Sequence, residues 1–342
     1  MDHLFQKALQ QAAALKKQPD SVPWSLDVPW PQAYYSWSDG SKQWHASEPR
    51  ISSVNSRDIT SLALYSWNID FMLPFPELRM TTALSHLQHL TNQTSDPENT
   101  ATIIQLQECL ASDLLTISQN PWIRETFHMT DIDTSNWGSG LYGTLTLVDK
   151  RVAITSCFRV HYAQTKMERD ALFVEINLGT GSGKKLRLCN THLESLAMEP
   201  PLRPAQMGVI ARQMRGDGII GAVVMGDFNA IQPSDLSLHA DNGLKDAYLE
   251  LGGQENADEG YTWGQQALPE QRQKFGCSRM DKAFYCGGLK VRSFERVGAG
   301  VVVPEEEREA RDRLLGLGFE RAWVTDHLGV KVVFDLKSEL RL

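Results

Sequence analysis

Five short segments each close an apolar run with polar groups: Trp67-Asn68-Ile69-Asp70, Leu106-Gln107-Glu108, Thr191-His192-Leu193-Glu194-Ser195, Gly226-Asp227-Phe228-Asn229 and Thr325-Asp326-His327. Singly, each has an ordinary structural use as a cap, an Asx-turn or a surface pair. Together they hold the groups that hydrolysis of a phosphodiester needs. A hard cation such as Mg²⁺ takes oxygen ligands and commonly one or two carboxylates. Glu108 is the first choice of ligand and Asp326 the second, and Mn²⁺ is an alternative ion. Asp227 suits activation or orientation of water. The amides of Asn68 and Asn229 donate to phosphate oxygens without adding charge. His327 and His192, when protonated, stabilise negative charge. Asp281, in SRMDKAFY (278–285), is a carboxylate partner able to fix one tautomer and raise an imidazole pKa.

These residues need a scaffold that brings distant strand ends together. SLALYSWN (61–68), TIIQLQE (102–108) and AVVMGDF (222–228) read as buried strands, and further strands are expected at 152–158, 171–178, 185–192, 282–286, 289–297 and 330–336. Apolar spacing predicts helices at 77–91, 111–120, with Ser112 or Asp113 as cap, 201–214 and 244–251. GTGSG (179–183), between two β-rich stretches, is expected to be a hairpin turn, and EEEREARDRLL (305–315) a charged, solvated insert. Near-continuous apolar strands with helices between them favour an α/β fold in which two sheets pack face to face with helices outside. No G-x-G-x-x-G follows the first strand, which argues against a dinucleotide site.

The 342 residues are 42% hydrophobic and 22% charged, with a net charge of −8. A general nucleic-acid coat would be basic, so any such contact must be local. Five scattered cysteines, without a C-x-x-C, read as reduced thiols. Residues 1–17 show the spacing of an amphipathic helix. Residues 18–57, with Trp24, Trp30, Trp37 and Trp44, are expected to form an irregular strap whose indoles dock on a main domain spanning 58–342. With no apolar run of membrane length and no targeting signal, an intracellular protein of nucleus or cytoplasm is expected, without membrane contact and monomeric. His86 and His89 are assigned to a solvated helix face, Asp131 and Asp133 to a loop, and Arg151, Arg159 and Arg169 are candidates for nucleic-acid backbone contacts.

The ordered set WNxD, QE, THLES, GDxN, RxD and DH resembles the endonuclease/exonuclease/phosphatase superfamily, which includes deoxyribonuclease I and the apurinic endonucleases. The similarity spans roughly 58–336. WNID, THLES, YTW (261–263) and RMDKAFY resemble the tyrosyl-DNA phosphodiesterase branch. The resemblance implies a four-layer α/β/β/α sandwich of two packed mixed sheets, with the site at one end. It implies Mg²⁺-dependent hydrolysis of 5′-phosphotyrosyl DNA, leaving a 5′-phosphate, in repair of trapped topoisomerase breaks. Asn68, Asn229, Glu108, Asp227, His192, His327 and Asp281 then match the family's working residues, and Trp263 an aromatic of the DNA groove. Ser195 closes the THLES motif and joins the substrate-binding set. The chain departs from the pattern where GDxN is usually followed by Leu-Arg: Ala230 and Ile231 stand there, and Arg203, with Gln206 one turn on, is the substitute cation. The loop FMLPFPE (71–77) is also bulkier than usual. Other readings are an apurinic endonuclease, an exonuclease, a sphingomyelinase or an inositol-phosphate phosphatase, and a catalytically silent interaction module.

Overall fold

The computed structural model describes residues 8, 10–47, 59–177 and 184–336. Their strands, in chain order, are β1 (Pro29–Pro31), β2 (Tyr34–Ser38), β3 (Gln43–Ser47), β4 (Ser61–Asn68), β5 (Thr100–Leu110), β6 (Phe127–Met129), β7 (Tyr142–Asp149), β8 (Ala153–His161), β9 (Asp170–Asn177), β10 (Lys185–His192), β11 (Ile219–Asp227), β12 (Lys245–Asp246), β13 (Asp281–Gly287), β14 (Leu289–Val297) and β15 (Gly329–Leu336). One sheet runs β1-β8-β9-β10-β11-β13-β12 and the other β14-β15-β4-β5-β7-β6-β2-β3. Each is mixed. β10/β11 and β4/β5 are the parallel pairs, and their neighbours are antiparallel.

Three apolar layers explain the architecture. Leu62, Leu64 and Ile103 from one sheet meet Leu172, Val174 and Leu188 from the other in the central layer. The outer face of the β4/β5 sheet packs on helix α1 (Pro76–Asn92) through Met80, Leu84 and Leu87, and on α2 (Ala111–Gln119) through Leu114 and Ile117. The other outer face is covered by Met207 and Ile210 of the helix Arg203–Gln213. Strands buried on both faces need the continuous apolar runs seen in the sequence. The result is the expected four-layer α/β/β/α sandwich.

The N-terminal strap is more regular than expected. β1 adds antiparallel to β8, and the β2–β3 hairpin adds through β6 to the opposite sheet. Backbone groups with no other partner satisfy themselves by extending sheet edges. Three of the four indoles dock: Trp24 stacks on His161 at 4.0 Å, Trp37 lies under the Arg124 guanidinium at 4.0 Å, and Trp44 Nε1 donates to the Ser118 carbonyl at 2.9 Å. The expected boundary at 57/58 and the GTGSG turn lie outside the described residues. Residues 10–14 are helical. The expected helix cap differs too: Asp113 is the third residue of α2 and accepts from the Leu110 N–H at 2.7 Å. In the charged insert, the helix Arg308–Leu315 buries Ala310 and Leu314 against Leu73 and Val303, so only part of it is solvated.

Candidate active site

Strand register delivers the first row of the site. His192 pairs with Asp227 across the parallel β10/β11 ladder, and Asp227 pairs with Asp281 across β11/β13. Directly opposed residues stand about 5 Å apart, so three strand ends present three functional side chains side by side. Gly226 makes the first pairing possible. Its φ is 153°, and a Cβ there would meet the Thr191 carbonyl oxygen at 1.7 Å.

The second row comes from the other sheet. Asn68 ends β4 beside Gln107 of β5, and Glu108 follows in a left-handed conformation, φ 59°. Asp70 and Asn229 also have positive φ, 55° and 47°. Such backbone strain clusters at functional sites. Arg79, fully buried, holds the loop after β4 by donating to the carbonyls of Ile69, Asp70, Leu73, Pro74 and Val324. Phe71 N–H donates to Glu108 Oε2 at 3.0 Å. Thr262 Oγ accepts from the backbone N–H of Asp281 at 2.9 Å, and Trp263 forms isolated bridges to Ser278 and His327. This is why YTW belongs to the set.

The side chains converge on a pocket of about 530 Å³, lined by Asn68, Asp70, Glu108, Ser195, Asp227, Asn229, Trp263, Asp326 and His327 among others. Asp227 is its hub. Asn68 Nδ2 donates to Oδ2 at 3.0 Å, the Asn229 N–H donates to Oδ1 at 2.8 Å, and the Nε2 atoms of His192 and His327 lie 3.3 and 3.7 Å from Oδ2. Burial alone would raise this carboxyl. His327, His192 and the Asn229 N–H outweigh it and hold Asp227 well below the usual carboxylate range. His327 Nδ1 lies 2.9 Å from Asp281 Oδ2. Burial would lower the imidazole, but Asp281, Asp227 and Asp326 outweigh it and keep His327 protonated.

His192 differs from the expectation of a second imidazolium. Burial and the neighbouring Arg169 guanidinium lower its pKa, against Asp227. It is a neutral ring in this site.

A cluster of carboxylates lies on the Glu108 side. Burial, then Asp326 and Glu108, push the Asp70 carboxyl up to about 8 against Arg79, and its buried Oδ2 has no hydrogen-bond partner. Asp326 is raised by burial and by Glu108 and Asp227, against His327 and the Trp263 Nε1–H that donates to its Oδ2 at 2.8 Å. Three acidic side chains lining one pocket, with an orphaned oxygen among them, fit a hard divalent cation. Among the described residues, Asp227, Asp281 and His327 also bring ligand atoms within 4.8 Å of one another. In that trio His327 lies between the two carboxylates, bonded to Asp281 Oδ2 at 2.9 Å, while the buried Asp281 Oδ1 has no hydrogen-bond partner.

Asn68, Glu108, His192, Asp227, Asn229, Asp281, Trp263, Ser195, Asp326 and His327 are therefore brought together. Arg203 is not. It is 1% exposed, and its guanidinium is spent on Asp235, Gln232 and the carbonyls of Glu194 and Leu196. Gln206 is likewise bonded to Glu194 and the Gln164 carbonyl. Arg159 is fully buried between Asp131 and Asp170, which removes it from any nucleic-acid surface and Asp131 from a mobile loop. Arg151 is bonded to Asp149 and to the carbonyls of Pro97, Glu98 and Thr100. His86 is half-buried against Trp67. Sequence reasoning missed Asp70, although it is the last residue of WNID, and it named Arg169 as a candidate for nucleic-acid backbone contact without placing it against His192 and Ser195. Nothing local distinguishes Arg169 from a surface arginine.

The model of the Endonuclease/Exonuclease/phosphatase family matches residues 65–327. A 5′-tyrosyl-DNA phosphodiesterase of Caenorhabditis elegans is 29% identical over 244 residues, 69% of this chain and 61% of that protein. The chain thus spans less than two thirds of that relative's length. Among solved structures, truncated Caenorhabditis elegans TDP2 superposes with a TM-score of 0.60 at 24% identity, covering 80% of this chain and 97% of that one. D. rerio TDP2 complexed with single strand DNA product gives 0.58 at 19% identity, covering 80% and 99%. The human Nocturnin catalytic domain with bound sulfate gives 0.55 at 17%, covering 82% and 96%. At these identities the superpositions establish the fold. The extent of the family match settles the rest: the chain belongs to the endonuclease/exonuclease/phosphatase family of hydrolases.

Proposed function

We propose that the protein hydrolyses phosphodiesters at blocked 5′ ends of DNA, releasing a tyrosyl group and leaving a 5′-phosphate, with Mg²⁺ as cofactor and Mn²⁺ as a substitute. The observation that carries the reading is the juxtaposition of His192, Asp227 and Asp281 on adjacent strands, with His327 bonded to Asp281, and of Asp227, His327 and Glu108 in the lining of one pocket. The similarity to the nematode 5′-tyrosyl-DNA phosphodiesterase supports the substrate.

Enzymes of this family use a divalent metal. Glu108, Asp70 and Asp326 would hold it, and when bound it supplies neutralisation of charge on the phosphate oxygens. Asp227, kept ionised by its donors, accepts a hydrogen bond from the attacking water and orients it. Asn68 retains a second amide N–H beyond the one given to Asp227, free for a phosphate oxygen. His327 donates from Nε2 to the charge that develops on phosphorus oxygens, and Asp281 holds its ring in place. Trp263, anchored through its indole N–H, offers an aromatic face to a base or phenol ring. The same reading assigns the protein to the interior of the cell, in nucleus or cytoplasm. Among the described residues no helix is long and apolar enough to cross a membrane.

The test is incubation with Mg²⁺ and a 5′-tyrosyl oligonucleotide, with and without EDTA. A 5′-phosphorylated product that EDTA abolishes is expected. No such product, with turnover of an abasic-site duplex or another phosphodiester, sinks the tyrosyl assignment and leaves the hydrolase.

A further inference from the structure

The catalytic pocket has a neighbour. A cavity of about 280 Å³ adjoins it and shares Met72, Glu108 and Ser195 with it. Phe71, stacked on Tyr142 at 4.2 Å, forms one wall. Ala8, Ala12 and Ala13 of the N-terminal helix form another, so a segment outside residues 65–327 of the family match completes the enclosure. The helix is tied down at its end. Lys16 Nζ pairs with Glu168 at 2.5 Å, and Lys17 Nζ donates to the carbonyls of Thr134 and Ser135, both at 2.8 Å.

Charge is divided unequally between the two spaces. Among the described residues that line the catalytic pocket there is no lysine or arginine, whereas Lys16, Lys166 and Arg169 line the cavity. Lys16 is engaged by Glu168. Arg169 is only 6% exposed, and among the described residues no carboxylate lies within 4.0 Å of its guanidinium. Its Nη1 and Nη2 donate to His192 Nδ1 and Ser195 Oγ, and its buried Nε has no partner. A buried guanidinium without a counter-ion is unfavourable. An anion brought by the ligand would restore the balance, and phosphate geometry suits arginine. The volume is small for a ligand pocket, and the apolar walls accept one flat ring rather than a duplex.

We propose that the N-terminal helix completes a subsite for a single nucleotide, the one whose 5′-oxygen stays on the scissile phosphate, and that Arg169 takes the next phosphate along the strand. The proposal rests on the phosphodiesterase reading above and deepens it. The leaving group then occupies the opposite side of the catalytic pocket, where Leu196, Ile231 and Phe275 are exposed beside Trp263.

Three substrates that release the same 4-nitrophenol test it with the full chain and Mg²⁺: methyl 4-nitrophenyl phosphate, the 4-nitrophenyl ester of thymidine 5′-phosphate, and that ester bearing a 3′-phosphate. KM is expected to fall about tenfold at each step while kcat changes little, as for a contact worth one decade of affinity. In Arg169→Gln the second step disappears, and in Ala12→Phe, which fills the cavity, the first. Each is read as a ratio within one variant, so a general loss of turnover cancels. Equal KM for the three substrates in the unaltered protein, or ratios the substitutions do not move, overturns the subsite alone. A protein inert towards all three overturns the phosphodiesterase reading and the subsite with it.

Discussion

Arg169 Nη1 lies 2.6 Å from His192 Nδ1. A guanidinium can only donate, so Nδ1 must be the acceptor and the imidazole proton sits on Nε2, the nitrogen that faces Asp227. The second histidine of the site is built the opposite way: His327 Nδ1–H donates a hydrogen bond to Asp281, and the carboxylates of Asp281, Asp227 and Asp326 keep the ring charged. One neutral and one charged imidazole thus flank the same carboxylate, and their neighbours decide which is which.

Asp281 acts through His327. Replacing it with Asn keeps the shape but removes the charge that holds the imidazolium. A fall in kcat of roughly 10²–10⁴-fold is expected, with little change in KM, as for other buried carboxylates behind a histidine. Steady-state kinetics on a 4-nitrophenyl phosphodiester measure it. A kcat within twofold of the unaltered protein removes the dyad from the mechanism.

Glu108→Ala should abolish hydrolysis at little cost to the fold, because it removes one hydrogen bond, from the Phe71 N–H, together with a charge that sits among repelling carboxylates. A ligand that binds only the folded state raises the thermal midpoint. Millimolar Mg²⁺ should therefore raise the midpoint of the unaltered protein, and less so that of Glu108→Ala or Asp70→Asn. Scanning fluorimetry with Mg²⁺ and with EDTA decides; a shift of equal size in all three would move the metal elsewhere.

Arg203 belongs to stability. Its removal strands the buried Asp235 carboxylate, which costs about 3–5 kcal/mol in comparable cases. Arg203→Ala should lower the urea midpoint strongly while the folded fraction keeps its KM. A raised KM at full stability would restore Arg203 to the substrate.

Gly226→Ala tests the junction between His192 and Asp227. The added Cβ would overlap the Thr191 carbonyl, so the strands must part. Loss of more than about 3 kcal/mol is expected, the upper end of ordinary single substitutions, together with activity. Chemical denaturation and turnover report the two effects, and a stable, active variant contradicts the pairing.

Acid sensitivity should come from His161. Burial, helped by Arg159 and Lys17 and opposed by Asp170, lowers its pKa to about 4, and Trp24 stacks on it. The unfolded chain takes up a proton near pH 6.5 that the folded chain refuses until about 4. Stability is thus complete above 6.5 and declines as pH falls through that window, by roughly 2–3 kcal/mol for this one group. His161→Gln should flatten the dependence of the denaturation midpoint between pH 7 and 4.5. An unchanged slope assigns the effect to other groups, with His128, also lowered to about 4, the next to examine.

The motif residues were legible because a functional strand end has a local signature: an apolar run long enough to be buried on both faces, then an abrupt polar group. Asn68, Glu108, His192 and Asp227 carry it, and with it came the two packed sheets; Asp281 instead opens β13 and stood out through the RMDKAFY resemblance. What tertiary structure alone decided are the matters of long-range pairing and burial. Arg159, Arg169 and Arg203 look alike in the sequence, yet one is a buried ion pair, one lines a cavity beside the site and one braces a loop. The Trp-rich strap carries turn-like composition, yet it becomes edge strands because two sheets offer it unpaired backbone. Protonation belongs here too: His192 and His327 are the same residue type at similar strand ends, and only the charges that distant strands place around them make one neutral and the other an acid.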